Sequence, residues 1–270
     1  MIDFWKRIHY NVSEMRGDSM LTEKRHEMIL DALRKHHFLS LQHLIEYTGC
    51  SASTMRRDLT KLQEEGWLIR VHGGAKLTQA QQELALDTKR TQHIDEKIQI
   101  AQHAAQLIKD GDCIYIDAGS TTLEMIAHIK AKDITVVTNG LPHVEALIKK
   151  GYLTRIVGGS IKPTTMAVVG SRAADSLKHY SFNKVFLGIN GIDCDAGLTT
   201  PDEQEAFMKE NAMRYGLQTY ILADASKFYQ SYFARIHTEE TPIIITSTKA
   251  FESHNLSRFK DVYEFLGGAL

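Results

Sequence analysis

The feature that most constrains this chain is a unit that recurs through its second part. A short run of β-branched, aromatic or aliphatic residues ends on glycine or a small polar residue. A stretch with apolar residues at helical spacing often follows. CIYI (113–116) leads into DAGSTT (117–122) and LEMIAHI (123–129), and ITVVT (134–138) leads into Asn139-Gly140 and a helix with Pro142 near its first position. LTRIVGG (153–159), AVVG (167–170), KVFLGIN (184–190), TYILAD (219–224) and PIIITS (242–247) repeat the strand half. PDEQEAFMKENAMR (201–214) reads as a helix with Pro201 near its start and acidic residues in its first turn. Another helix is expected from Ile94, where Ile94, Ile98, Ala101, Ala105 and Ile108 recur at spacings of 4, 3, 4 and 3. Runs that are apolar at successive positions are buried on both faces. Strands joined through helices pair in parallel. The expected fold class is therefore α/β, a mostly parallel sheet covered on both faces.

In such sheets ligands settle beyond the carboxyl ends of the strands. The residues expected there are small or polar: Asp117, Gly119, Ser120, Thr121 and Thr122, then Thr138 and Asn139, Gly158 and Gly159, Asn190 and Gly191, and Asp224 and Lys227. Lys209, on the helix 201–214, is a further candidate for the same pocket. DAGSTT can be read in two ways. As an anion cradle, Gly119 lets the backbone approach a ligand, three hydroxyls stand beside it, and the N–H groups of the following helix point at the same place. As a plain helix start, Ser120 or Thr121 is the N-cap and no ligand is needed.

The first part of the chain is organised differently. TEKRHEMILDALRKH (22–36), SLQHLIEYT (40–48, closed by Gly49) and SASTMRRDLTKLQEEG (51–66) suit three short helices. WLIRVHGGAKL (67–77) alternates and turns at Gly73-Gly74, which reads as a β-hairpin. Three helices and a hairpin outline a winged helix-turn-helix. At about 100° per residue, Met55, Leu59 and Leu62 fall in one sector of the third helix, with Asp58 near its edge. Ser53, Arg57, Thr60 and Lys61 take the opposite face, flanked by Thr54 and Arg56. Cations and hydroxyls on one face suit phosphates and base edges; a solvated polar face is the plainer alternative. Ser51, which can cap this helix, and Arg70, His72 and Lys76 of the hairpin complete the candidate nucleic-acid surface.

The expected organisation is a disordered segment or upstream extension over 1–19, the winged unit over 20–77, a linker over 78–92 that becomes helical, and the α/β unit over 93–270. With a net charge of −1, any pull toward nucleic acid must come from a local patch. Three distant cysteines, Cys50, Cys113 and Cys194, form no CxxC pair, so neither a disulfide framework nor a zinc site is expected. Reduced thiols fit a cytoplasmic protein. None of the thirteen histidines forms an HxH or HxxxH pair, and no metal site is expected. No apolar run approaches the roughly 20 residues of a membrane span.

SASTMRRDLTKLQEEGWLIRVHGGA resembles the DNA-binding segment of DeoR-type bacterial transcriptional regulators. DAGSTT, VTNG, GINGID…GLTT and LADASKF resemble the effector domain of the same family, in the family's order, from about residue 20 to the end. Those effector domains are similar to sugar-phosphate isomerases of the ribose-5-phosphate type. The resemblance implies an oligomeric repressor, dimer or tetramer, with double-stranded DNA and a phosphorylated sugar as its partners and no bound cofactor. LTEKRHEMILDAL is similar to fructose-operon repressors within the family, which implies fructose 1-phosphate as the effector. The competing class is an isomerase-like enzyme with an added DNA-binding domain. Its acid–base candidates are Asp193, Asp195, Glu205, Lys209, Asp224 and Lys227. NGIDCDAG (190–197) departs from the acidic D-G-A-D-E segment of the isomerases, and the expectation is accordingly a non-enzyme.

Overall fold

The structure is a computed structural model that describes residues 22–36, 38–64, 67–71, 73–77, 84–254 and 256–267. It falls into two compact units, one up to residue 81 and one from residue 82. The extension read over 1–19 lies outside the described residues.

In the first unit, α1 (Thr22–His36) is followed by β1 (Phe38–Ser40), α2 (Leu41–Thr48), α3 (Ala52–Glu64), β2 (Leu68–Val71) and β3 (Gly74–Leu77). Ser40 caps α2 by accepting the His43 N–H at 3.2 Å, and Gly49 ends it in the left-handed conformation. Ser51 caps α3, accepting the Thr54 N–H at 3.2 Å. The hairpin forms as expected and gains β1 as a third strand, in the order β1-β3-β2. Ile29, Leu33, Leu44, Met55, Leu59, Leu62 and Leu68 form the core, each at most 1% exposed. Each such side chain contributes about 1.5–3 kcal/mol by leaving water.

The second unit opens with α4 (Leu86–Thr91) and α5 (Ile94–Gln106). Then come β4 (Cys113–Ile116), α6 (Ser120–His128), β5 (Thr135–Thr138), α7 (Leu141–Lys149), β6 (Leu153–Ile156), β7 (Ser160–Lys162), β8 (Ala167–Val169), α8 (Ser171–Leu177) and β9 (Lys184–Gly188). The chain continues through β10 (Gly191–Asp193), β11 (Gly197–Thr200), α9 (Glu203–Arg214), β12 (Thr219–Ala223), β13 (Ala234–Arg235), β14 (Ile243–Thr246), α10 (Thr248–Ser253), α11 (Ser257–Lys260) and β15 (Phe265–Leu266). Seven strands form one sheet in the order β15-β14-β12-β9-β4-β5-β6, and every pair in it is parallel. Tyr115, Val137, Val185, Leu187 and Ile221 pack under one face, and Ile114, Ile116, Val136, Phe186 and Leu222 under the other.

Two expectations need correction. AVV (167–169) pairs antiparallel with β7 in a separate hairpin, not with the main sheet, because it is three residues long and has no helical crossover to bring it there. The inward face of α5 is Ile100, Ala101, Ala104 and Ala105 together with Glu96 and Lys97, while Ile94 stays 39% exposed. Two charged residues that find partners inside take the places assigned to Ile94 and Ile98.

Candidate functional site

On α3, Met55, Asp58, Leu59 and Leu62 are buried, and Ser53, Arg56, Arg57 and Lys61 are exposed. Asp58 is a core residue, not an edge one. Its carboxylate accepts from the Arg25 guanidinium at 3.0 Å and lies 3.2 Å from His26 Nε2, which ties the inner face of α3 to α1. Thr54 and Thr60 are half-buried, and Thr60 donates to the Arg56 carbonyl at 2.9 Å. Arg70 on β2 reaches α3 instead of standing free: its guanidinium donates to Thr60 Oγ1 at 2.7 Å, and its N–H donates to Gln63 Oε1 at 2.8 Å. Lys76 lies on β3 between Phe38 and Ile69. His72 lies outside the described residues. Arg56, Arg57 and Lys61 on α3 and Arg70 on β2 are all exposed cations.

In the second unit the chain runs from β4 to β5 and β6 on one side, then to β9, β12, β14 and β15 on the other. The order reverses between β4 and β9, and a crevice opens at such a reversal. DAGSTT leaves the carboxyl end of β4 at this point. The N-cap of α6 is Gly119, so no side chain caps the helix. The reading of Ser120 or Thr121 as N-cap is corrected: they are its first two helical residues, half-buried and 7% exposed respectively. Gly119 has an extended backbone, so its need is for space: a Cβ there would stand 3.0 Å from Thr122 Oγ1 and 3.8 Å from Gly188 Cα.

Asp117 and Lys209 form a buried ion pair across this point, from β4 to α9, with side chains 2% and 5% exposed. The Gly188 N–H at the end of β9 also donates to Asp117, at 3.3 Å. Burial pushes the Asp117 carboxyl up, against the pull of the Lys209 ammonium. Thr122 turns inward, donating to the Asp117 carbonyl at 2.6 Å and lying 3.1 Å from His143 Nε2. Burial holds the His143 imidazole down at about 3, so it stays neutral. Asn139 is also turned inward. Its Oδ1 accepts the Ala118 N–H at 2.7 Å and its Nδ2 donates to the Val168 carbonyl at 3.3 Å, which fixes the loops after β4 and β5 to each other. Thr138 Oγ1 accepts the Gly140 N–H at 3.1 Å.

At the end of β12, Asp224 is fully buried. Its Oδ1 accepts the Ser226 N–H at 2.9 Å, while its Oδ2 has no hydrogen-bond partner and lies 3.8 Å from Lys227 Nζ. Gly158 and Gly159 line a separate cleft of about 790 Å³ with Ser171, Arg172 and Gln204. A Cβ on Gly159 would come within 2.6 Å of the Val169 carbonyl oxygen, and one on Gly191 within 2.4 Å of that of Gln230, so both glycines are required by packing. Asn190 accepts from Thr200 at 3.0 Å.

The comparison with known families now decides the identity. Residues 25–81 match the DeoR-like helix-turn-helix domain, and residues 92–248 match the DeoR C terminal sensor domain. The chain belongs to the DeoR family of transcriptional regulators. It is 44% identical over 230 residues to the "Uncharacterized HTH-type transcriptional regulator FruR" of Bacillus subtilis, covering 84% of this chain and 92% of that protein. It is 34% identical over 215 residues to the lactose phosphotransferase system repressor of Staphylococcus epidermidis, covering 78% and 85%. Among solved structures, ribose 5-phosphate isomerase from Methanocaldococcus jannaschii aligns over 50% of this chain and 54% of its own, at 15% identity and a TM-score of 0.38.

In this DeoR-family protein the carboxylates weighed for acid–base work are dispersed. Asp193 Oδ1 accepts the N–H groups of Asp195 and Ala196 in a local turn, and Asp195 points outward beside Arg258. Glu205 accepts from Thr165 at 2.8 Å and from Lys162 at 3.2 Å. Sequence reasoning missed Glu96, Lys97 and His143. Glu96 accepts from Ser247 at 2.6 Å and from the Ala225 N–H at 3.0 Å, joining α5 to the ends of β14 and β12. The signal for Lys97 was its helical spacing from Ala101 and Ala104, both 0% exposed. Among the described residues no helix is long and apolar enough to cross a membrane.

Proposed function

We propose that this protein is a repressor of a sugar-utilisation operon whose affinity for its operator is modulated by a phosphorylated sugar, with fructose 1-phosphate the first candidate. On this reading residues 20–77 read DNA, 78–92 link, and 93–270 sense the sugar. The protein acts in the cytoplasm as a homo-oligomer, dimer or tetramer, whose reading heads sit on half-sites about one helical turn apart or multiples of it. The observation that carries the sensing role is the start of α6. A helix capped only by a glycine opens at the reversal of strand order, with Ser120 and Thr121 at its mouth and the Asp117–Lys209 pair beneath it. Phosphate would settle on the first-turn amides and hydroxyls of α6. The sugar hydroxyls would reach Asp224 and Lys227.

For DNA binding, α3 enters the major groove with Arg56, Arg57 and Lys61 on phosphates and base edges, while Ser51 and Ser53 fill in near its start. The ligand changes operator affinity only as far as it binds one arrangement of the heads better than another. A tenfold effect needs about 1.4 kcal/mol of such preference. The expected sign is release of DNA by the ligand.

The test is a thermal-shift screen of the full chain against sugar phosphates and their unphosphorylated forms. A ligand at 100 times its Kd adds about 2.7 kcal/mol to stability, which is about 5–11 °C for a domain of this size. Fructose 1-phosphate should raise the midpoint where fructose does not, and should weaken an operator gel shift. A panel in which no phosphorylated sugar outperforms its parent sugar would overturn the reading.

A further inference from the structure

Two helices start at the carboxyl ends of the neighbouring strands β4 and β5, and each has a glycine N-cap: Gly119 for α6 and Gly140 for α7. The third residues of the two helices meet. Thr122 Oγ1 and His143 Nε2 lie 3.1 Å apart, and both residues are fully buried. The two starts are not equivalent. In the first turn of α7, Pro142 has no N–H, and the Leu141 N–H donates to the Met166 carbonyl at 3.0 Å. The start suited to an anion is that of α6.

Counting protons fixes the tautomer of His143. Thr122 has one hydroxyl proton and two carbonyls within reach, Asp117 at 2.6 Å and Gly119 at 3.0 Å. The shorter bond takes the proton. A hydroxyl that donates to a carbonyl can only accept from the imidazole, so the ring carries its proton on Nε2. Its Nδ1 is then a bare acceptor, and that atom has no hydrogen-bond partner. The other tautomer would take the Thr122 proton, strip the Asp117 carbonyl of that donor and bury an unpaired Nδ1–H, which costs more. Burial, which holds the imidazole down at about 3, keeps it from carrying both protons.

Gly140 belongs to the same arrangement. A Cβ there would stand 2.3 Å from His143 Nδ1 and 2.8 Å from its Cγ, so only glycine admits the ring in this position. From the ring the path to the site is two hydrogen bonds long. His143 donates to Thr122, and Thr122 donates to Asp117, which closes DAGSTT from its last residue onto its first. With the Thr122 hydroxyl turned inward, Ser120, Thr121 and the first-turn amides are the groups left at the mouth of α6.

We infer that His143 is the positioning residue of the anion site: its Nε2–H orients the Thr122 hydroxyl onto the Asp117 carbonyl and so fixes the shape of the loop on which phosphate settles. The inference rests on the sugar-phosphate reading above and adds what sets the geometry of its anion site.

The test has two parts, both on the full chain. In a long-range proton–nitrogen spectrum at pH 7, with His143 assigned through its backbone, the wild type should show a protonated Nε2 and a bare Nδ1. In calorimetric titrations, His143→Leu fills the space but donates nothing. It should bind fructose 1-phosphate and inorganic phosphate about tenfold more weakly, the size expected for losing one hydrogen bond. His143→Gln sets an amide N–H near the place of Nε2 and should restore the affinity. The spectrum needs no variant, so a His143→Leu that fails to fold leaves the test intact. A protonated Nδ1 overturns the inference, as does a His143→Leu that binds like the wild type. A His143→Gln as weak as His143→Leu overturns it too, because the ring would then act by packing alone. If the wild type binds neither probe, the sugar-phosphate reading fails and the positioning role falls with it.

Discussion

The ion pair beneath the DAGSTT loop allows a quantitative test. Lys209→Met keeps the length and apolar stem of the side chain and removes its charge. Asp117, with a side chain 2% exposed, is then left with the Gly188 N–H and no cation. Removing one partner of a buried pair costs about 3–5 kcal/mol, because the charge left behind has lost both water and its counterion. In a domain of this size each kcal/mol shifts the midpoint by about 2–4 °C, so Lys209→Met should melt about 6–20 °C lower. Asp117→Asn with Lys209→Met removes both charges and leaves a neutral acceptor for the Gly188 N–H. The double variant should regain about 2–3 kcal/mol over the sum of the single effects. Urea titrations followed by far-UV circular dichroism supply the four corners of the cycle, and an unchanged m-value shows that only stability moved. A single variant costing below about 1 kcal/mol, or effects that simply add, would mean that solvent screens the pair and that it does not shape the loop.

Arg57→Ala should weaken operator binding and lower the slope of log K against log salt by about one, if Arg57 neutralises one phosphate; an unchanged slope removes it from the interface. Ser120→Ala with Thr121→Ala should weaken the response to fructose 1-phosphate at least tenfold in a gel shift while ligand-free DNA affinity holds; a normal response would place the phosphate elsewhere. Glu96 tests the sensor by pH. Burial favours its neutral form, but His93, Ser247, the Ala225 N–H and Lys249 outweigh that and hold the carboxyl at about 2 against an ordinary 4.5. A folded value below the unfolded one stabilises above about pH 4.5 and is lost as pH falls toward 2. Wild type should therefore lose stability faster than Glu96→Gln across that window, and parallel curves would refute the role. Asp58→Ala should cost the reading head about 3–5 kcal/mol by removing the buried carboxylate that pairs with Arg25, measured through Trp67 fluorescence in a Trp5→Phe background; a loss below about 1 kcal/mol would show that the pair is dispensable.

Most of the sheet was legible because its strands are successive apolar runs, and CIYI, ITVVT, KVFLGIN, TYILAD and PIIITS all lie in it. The short pieces were not. β1, β10, β13 and β15 are two or three residues long, and strands of that length leave no periodicity to read. In the site, positions were legible and orientations were not. Thr122 lies in the first turn of α6 and Asn139 directly after β5, but their polar atoms bind neighbouring loops, because a buried loop must satisfy its own amides and carbonyls first. Lys97 and Glu96 were missed because charge at a helical position ordinarily means solvent. Only tertiary partners, the carbonyls of α4 and the ends of β12 and β14, reverse that. Asp58 follows the same rule in the reading head.

The charges at the ends of β4 and β12 bear on how a phosphate would be told from a neutral sugar. Lys97, Lys209 and Lys227 supply three positive charges, and Asp117, Asp224 and Glu96 supply three negative ones, so these side chains leave no surplus. Lys209 is already matched by Asp117, so it offers an incoming dianion less than its position suggests. Lys227 faces Asp224 at 3.8 Å, too far for a hydrogen bond, and Lys97 is committed to the carbonyls of α4. The groups without such competition are the first-turn amides of α6, whose N-cap has no side chain. Recognition of phosphate would therefore fall mainly to backbone amides, whose strength does not change with pH. The lysines would report the arrival of charge more than they hold it. This division suits a sensor: an anchor that is rigid and always ready, beside cations whose partners can be exchanged.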